Sequence, residues 1–430
     1  MGQQQSGVHP NKRLGVPVAT SVTANSNFNL TERTTVVCSY VLLPDKEVES
    51  ELGKLFHIAV ITGRSVELFC LLTGERRANR YTPAPGLQIK AAVHSPQSVH
   101  GNVAILAESD SVFKIIDSFT LKLLRKIGLN EHLPVFQASK SQITCMTLSA
   151  PDMLYAGYQQ GVIRAWHLGA APPQHEFNTG LELPGVRCLK YSHTHRLLFA
   201  GHEGSYENQY GRLVTSENNP IRVHTTNALE DSTQAQLLEG FVGTCFSLAL
   251  VETKNFAIAL SSEKSTVFIW DFITKAMVLK FELPQLNERS EIATCIGVIE
   301  MPGLSDVLLV GQSDGSSLVS QLSFNQEDLS LTWSPVKKLN SKSKKSIASE
   351  GVALINYLQY NLDLDLLLVG NGASSVSVIS NFIAECLGIN LYDYKEPQEV
   401  EDLDKDSTNS SQEATQKLKS EESKVSEEEL

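Results

Sequence analysis

The first residues with a chemical signature stand at the N-terminus. Met1-Gly2-Gln3-Gln4-Gln5-Ser6 fits the M-G-x-x-x-[ST] pattern of N-myristoylation. Acylation needs Gly2 because the acceptor is the α-amine freed when Met1 is removed, and no side chain fits beside it. Ser6 is the residue favoured four places on. One acyl chain binds membranes only marginally, with an association constant on the order of 10⁴ M⁻¹. Lys12 and Arg13 are the only basic residues before position 26, and near an anionic leaflet they add about 2 kcal/mol. No Cys precedes Cys38 to take a second chain. The expectation is a cytoplasmic protein that is partly, and reversibly, membrane-associated.

His193-x-His195, with Cys188 and His202 nearby, offers the closest approach to a metal site, since residues two apart on a strand face the same way. His193 and His195 follow one strand, whereas His202 follows the next and falls at its opposite end. The three are therefore read as surface histidines, and no metal or cofactor is expected. No Gly-x-Ser-x-Gly, P-loop or dinucleotide fingerprint occurs, so no enzymatic activity is expected. Two other stretches carry recognition chemistry. The first, 202–219, is longer than its counterparts and holds Tyr206, Tyr210 and Arg212, residue types enriched at binding hot spots. The second, VKKLNSKSKKS, reads as a solvated loop and holds Lys337, Lys338, Lys342, Lys344 and Lys345, which could meet phosphate, an acidic partner or the chain's own acidic end.

That end is distinctive. Residues 395–430 carry twelve acidic and five basic side chains, a net of −7 out of −12 for the 430 residues. Polar and free of aromatics, this segment reads as a disordered acidic tail. Residues 1–25 read as a flexible arm. The body between them, at about −5 by difference, lacks the basic balance of a nucleic-acid binder. No apolar run approaches the roughly 18 residues of a membrane-spanning helix.

The body must position these residues, and its pattern is a repeat. SQITCMTLSAPDMLYAGYQQGVIRAWHL, from Ser141, reads as three short strands with apolar–polar alternation and tight Gly turns. Its first strand, ITCMTLS, has counterparts at Val36, Ile89, Val186, Gly243, Ala293 and Val352, spaced 43 to 59 residues apart. Aligned in this way, one position holds Cys38, Ala91, Cys145, Cys188, Cys245, Cys295 and Leu354. Five of the seven cysteines thus fall on one strand position, as small buried reduced hydrophobes. Seven four-stranded units close naturally into a ring, which removes open sheet edges. The expected fold is all-β, a seven-bladed propeller over 26–394. Two separate β-sandwiches would leave one repeat running through the whole length unexplained.

At this point the chain resembles the WD40-repeat family. Trp270-Asp271 ends the strand VFIWD of blade five, and Trp166-His167 occupies the same place in blade three. Asp110-Ser111 and Asp314-Gly315 stand where the family has an Asp in the turn before that strand. The match covers roughly residues 30 to 394. The family's Gly-His pair is missing from all seven units; Gly201-His202 lies at the end of a second strand. These are degenerate repeats. The resemblance implies structural roles for Trp166, Trp270, Asp271, Asp110 and Asp314, and ring closure by the N-terminal segment, for which Asn27 to Glu32 competes with Cys386 to Tyr392. It implies a scaffold that holds other proteins, in a multi-subunit complex, on one propeller face. Strand alternation puts the 202–219 insertion and the lysine stretch at the same end of the ring. The alternative function is a phosphoinositide- or anionic-lipid-binding propeller acting in membrane trafficking. Against it, Gly74-Glu75-Arg76-Arg77 has no Gly after the Arg pair, unlike the motif of such propellers.

Overall fold

The structure, a computed structural model, describes residues 19–23, 36–44, 56–71, 73–109, 112–128, 142–149, 152–168, 175–177, 183–207, 213–215, 221–226, 235–283, 292–301, 304–325, 330–340, 354–371, 375–380 and 382–383. The chain divides into two compact units, 1–387 and 388–430, and every described residue belongs to the first. This unit holds seven four-stranded antiparallel sheets. Six are continuous in sequence order, over 36–81, 89–128, 143–177, 186–238, 245–282 and 293–340, and the seventh joins 355–380 to a strand from the N-terminal segment. The first strand of each sheet touches the first strand of the next, and that of the seventh touches that of the first. The result is a closed seven-bladed β-propeller.

Closure uses a strand earlier than expected. Ala19–Thr23 pairs antiparallel with Ser375–Ser380, from Ala19 opposite Ile379 to Thr23 opposite Ser375. Neither Asn27 to Glu32 nor Cys386 to Tyr392 fills this place, and the ring takes in five residues of the arm expected over 1–25. ATSVT combines small residues with the β-branched Thr20, Val22 and Thr23, which suits a short outer strand.

Each first strand begins with the same defect. One residue is skipped in the pairing between Val36 and Cys38, Ile89 and Ala91, Ile143 and Cys145, Val186 and Cys188, Cys245 and Ser247, Ala293 and Cys295, and Ile355 and Tyr357. Such bulges twist a strand and re-aim its side chains. They also correct the alignment read from letters alone. Cys245 stands before the bulge, where the other blades have Val, Ile or Ala, and Ser247 stands after it. Leu354 precedes its strand, and Tyr357 takes the position after the bulge. Four cysteines, not five, share one site.

The bulge sets up the joint between blades. Cys188 lies opposite Gly201, and a β-carbon at Gly201 would sit 2.5 Å from Cys245 Sγ and 2.7 Å from Cys188 Sγ. Only glycine leaves room for the leading residue of the next blade. Gly157 receives Val186 and Gly311 receives Ile355 in the same way, and Gly370 of blade seven receives Val36 of blade one. Side chains stitch the same joints: Thr144 donates to the Val186 carbonyl, Thr294 to that of Ile355, and Asn356 Nδ2 to that of Val36 at 2.5 Å. The last joint is built like the others.

The core is a series of apolar layers between neighbouring blades. Leu364, Leu366, Leu368, Val376 and Val378 of blade seven meet Val36, Ile58, Val60 and Phe69 of blade one. Trp270 is fully buried with Phe199, Ile221 and Leu238 of blade four. Trp166 meets Phe113 of blade two edge-on, with centroids 5.6 Å apart. Each Trp therefore faces the blade before its own. Asp271 caps the turn that follows it, Oδ1 accepting from the amides of Ile273 at 2.8 Å and Thr274 at 3.0 Å. Asp117 does the same in blade two, for Phe119 at 3.1 Å and Thr120 at 2.6 Å. In both turns the fifth residue, Leu121 or Lys275, takes a left-handed conformation. Asp117 is thus the counterpart of Asp271, though no Trp precedes it to mark it in the sequence.

Candidate functional site

The two ends of the ring differ. Antiparallel order sends the connection between second and third strands, and the connection from blade to blade, out at the same end. In blade four the former connection carries the insertion. Its described part is a small hairpin, Ser205–Glu207 paired with Leu213–Thr215, with Tyr206 opposite Val214. The stem of this hairpin is fixed to the ring. Glu203 N–H donates to the Gly185 carbonyl at 2.9 Å, and Gly204 N–H to Thr244 Oγ1 at 2.9 Å. The base of this long connection is thus held in a defined place on the ring. Tyr210 and Arg212 lie outside the described residues.

The lysine stretch divides. Lys337 and Lys338 are not loop residues: they pair with Val319 and Leu318 in the outer strand Ser330–Asn340 of blade six. Lysine on an exposed outer strand discourages edge-to-edge pairing, which accounts for a strand so polar that it reads as loop. Lys342, Lys344 and Lys345 lie outside the described residues, as do Gly2 and Asp110. Asp314 sits in the turn expected for it, Oδ1 accepting from the Ser316 amide at 2.8 Å and hydroxyl at 2.5 Å, beside Gly315 at φ 82°.

The histidines separate by burial. His193 and Thr194 lend their amides to the Glu252 carboxylate of the next blade, at 3.1 and 2.9 Å. His202 is not at the surface: it is 1% exposed, with Nδ1 2.9 Å from the Pro184 carbonyl. His224, on the neighbouring strand, is 2% exposed. Burial lowers both His202 and His224 to about 4, so both are neutral at pH 7. Among the described residues, no group of three His, Cys, Asp or Glu side chains is placed to hold a metal. Cys188 and Cys245 bring their sulfurs to 3.5 Å across a blade joint. Burial pushes the Cys188 thiol well above its ordinary value, and Cys145 and Cys295 to about 12. These thiols stay protonated and are poor nucleophiles.

The seven first strands surround a central channel. Their sequences, VVCSYVL, IKAAVHSPQS, ITCMTLS, VRCLKYS, CFSLALV, ATCIGVI and INYLQYN, contain no carboxylate and three cations, Lys90, Arg187 and Lys190. All three are exposed to solvent. Lys190 lines a cavity of about 220 Å³ with Gly297, Leu358, Gln359 and Tyr360, from blades six and seven. A second cavity, of about 240 Å³, is lined by Tyr40, His94 and Gln359 among others.

Among the described residues no helix is long and apolar enough to cross a membrane. No family model matches the chain, and no curated protein matches it significantly.

Proposed function

We propose that the chain is a non-catalytic, WD40-like scaffold that holds partner proteins, as part of a multi-subunit complex, on one propeller face. It is tethered reversibly to a membrane through N-myristoylated Gly2. The observation that carries this reading is the blade-four insertion, whose stem is bonded to the ring at the end where the blade connections also emerge. A rigid ring with long connections at one end fixes many side chains on a single surface, which is what a scaffold needs. The N-terminal strand Ala19–Thr23 belongs to the outer edge of blade seven, so 16 residues separate an acyl group on Gly2 from the ring.

Gly2→Ala blocks acylation, and Gly2 lies outside the described residues. Wild-type protein should divide between membrane and cytosol, since one acyl chain is marginal, and the variant should move to the cytosol with an unchanged melting temperature. Placing a Cys at position 3 offers a second acylation site and should shift the protein almost wholly to membranes. The readout is fractionation together with the intact mass of the N-terminal peptide. A peptide that retains Met1, or carries only an acetyl group, contradicts the tether and leaves a soluble scaffold.

A further inference from the structure

We infer that the central channel is a binding site for a small multivalent oxyanion of the polyphosphate class, held by Lys190 and drawn in past Arg187 and Lys90. Three observations carry this. First, the seven strands that form the channel wall bear three cations and no carboxylate, within a chain of net charge −12. A channel lined by one sign of charge, with low-dielectric walls, focuses its field on counter-ions. Second, none of the three cations has a carboxylate partner among the described residues; Lys90 bonds only the neutral Gln88 side chain, at 3.0 Å. Surface lysines of this ring that face carboxylates do pair, as Lys254 does with Asp306 at 2.8 Å. Third, Lys190 opens on a cavity of about 220 Å³ that also offers Gln359 and Tyr360.

The surroundings of Lys190 point to an anion rather than to water alone. Lys190 is exposed to the water of the channel yet crowded by the surrounding strands, and this crowding lowers its pKa; among the described residues Cys188 and, across the channel, Cys38 act in the other direction. Burial holds both thiols up, Cys38 to about 11, so neither supplies a countercharge at neutral pH. A bound anion supplies it. Arg187 and Lys190 stand three residues apart on one strand, about 10 Å at strand rise, so one phosphate group cannot meet both. A chain of two or three can. Arg at the mouth offers a planar fork and Lys inside a compact point charge. The cavity is too small for a folded segment, which favours a small molecule over an acidic polypeptide.

The test uses the full chain and sodium tripolyphosphate, with sodium chloride at matched ionic strength as the blank. Calorimetry should show stoichiometric binding to wild type, and the melting temperature should rise. Lys190→Met should weaken binding at least tenfold, Lys190→Arg should bind within a few-fold of wild type, and Lys264→Met, on the outer surface, should change nothing. Without ligand, Lys190→Met should melt no lower than wild type, because it removes a cation that lacks a partner. If it fails to fold, Arg187→Gln takes its place and should weaken binding while flattening its salt dependence. Vesicles containing a phosphorylated inositol lipid distinguish the source: binding that depends on Lys190 assigns a headgroup, and tripolyphosphate binding alone assigns a free ligand. Equal binding by Lys190→Met and wild type, no heat with wild type at millimolar tripolyphosphate, or binding of poly-glutamate alone would overturn the proposal.

Discussion

Replacing Trp270 by alanine destabilises the whole ring by about 3–5 kcal/mol, the range for large aromatic truncations in a packed core. Trp270 is 0% exposed. Its indole lies stacked over Phe268, with centroids 5.8 Å apart, and beside Phe241 at 6.3 Å. Its Nε1–H donates to the Glu239 carbonyl at 2.9 Å, so truncation also leaves a backbone acceptor without its partner. The cavity would open between blades four and five, where both faces are rigid sheets and collapse is limited. Because each blade buries its faces only against its neighbours, the loss should lower the midpoint of one cooperative transition rather than release a single blade. Chemical denaturation followed by circular dichroism measures it. A loss below about 1 kcal/mol, or tryptophan emission typical of solvated indole, contradicts the packing described.

Acidification from pH 6.5 to 4 should cost the ring several kcal/mol, chiefly through three histidines. His202, His224 and His94 are each lowered from 6.5 to about 4, chiefly by burial. His94 is stacked on Tyr40 at 3.8 Å and bonded to Asn102 at 2.9 Å. The sign follows from proton counts. Between pH 6.5 and 4 the unfolded chain binds protons at these sites and the folded ring does not, so stability falls as pH falls across that window. A shift of this size corresponds to about 3 kcal/mol per site at most. The sum is smaller, because His94 is only partly buried and because His202 and His224 already act on one another. Glu252 adds to the loss from its ordinary value of 4.5 downward. Burial opposes its ionised form, but bonds from Thr194 and His193 outweigh this and hold it below the usual range; its contribution disappears as pH falls through that lowered value. Melting curves at half-unit steps, with His224→Phe alongside, test this. The variant should show a shallower decline between pH 6.5 and 4. A wild-type melting temperature that is flat from pH 7 to 4.5 contradicts the neutral buried histidines.

The ring itself was legible because strand alternation, Gly turns and recurring apolar starts are properties of short stretches. What escaped the sequence was set between stretches. Matching ATCIGVI with GTCFSLA by letters placed Cys245 one bulge out of register, since a skipped residue leaves no mark in composition. Lys337 and Lys338 read as loop because an outer strand tolerates charge. Ala19–Thr23 and Asn27 to Glu32 are both short, polar and plausible as an edge, and only pairing with Ser375–Ser380 separates them. His202 reads as a strand-end surface residue, yet the neighbouring connection folds over it through Pro184. Lys90, Arg187 and Lys190 carry no mark of their own in the sequence; their convergence exists only once the ring closes.

The scaffold reading is tested most directly at the blade-four insertion. Residues 206–218 would be replaced by a short Gly-Ser turn, keeping His202, Glu203 and Gly204, whose bonds belong to the ring. Affinity purification of this variant and of wild type from the same cells, with partners identified by mass spectrometry and both proteins melted in parallel, is the measurement. The expected result is an unchanged melting temperature with loss of a defined set of partners that wild type retains. An identical partner set on an equally stable ring would contradict a binding face at that end.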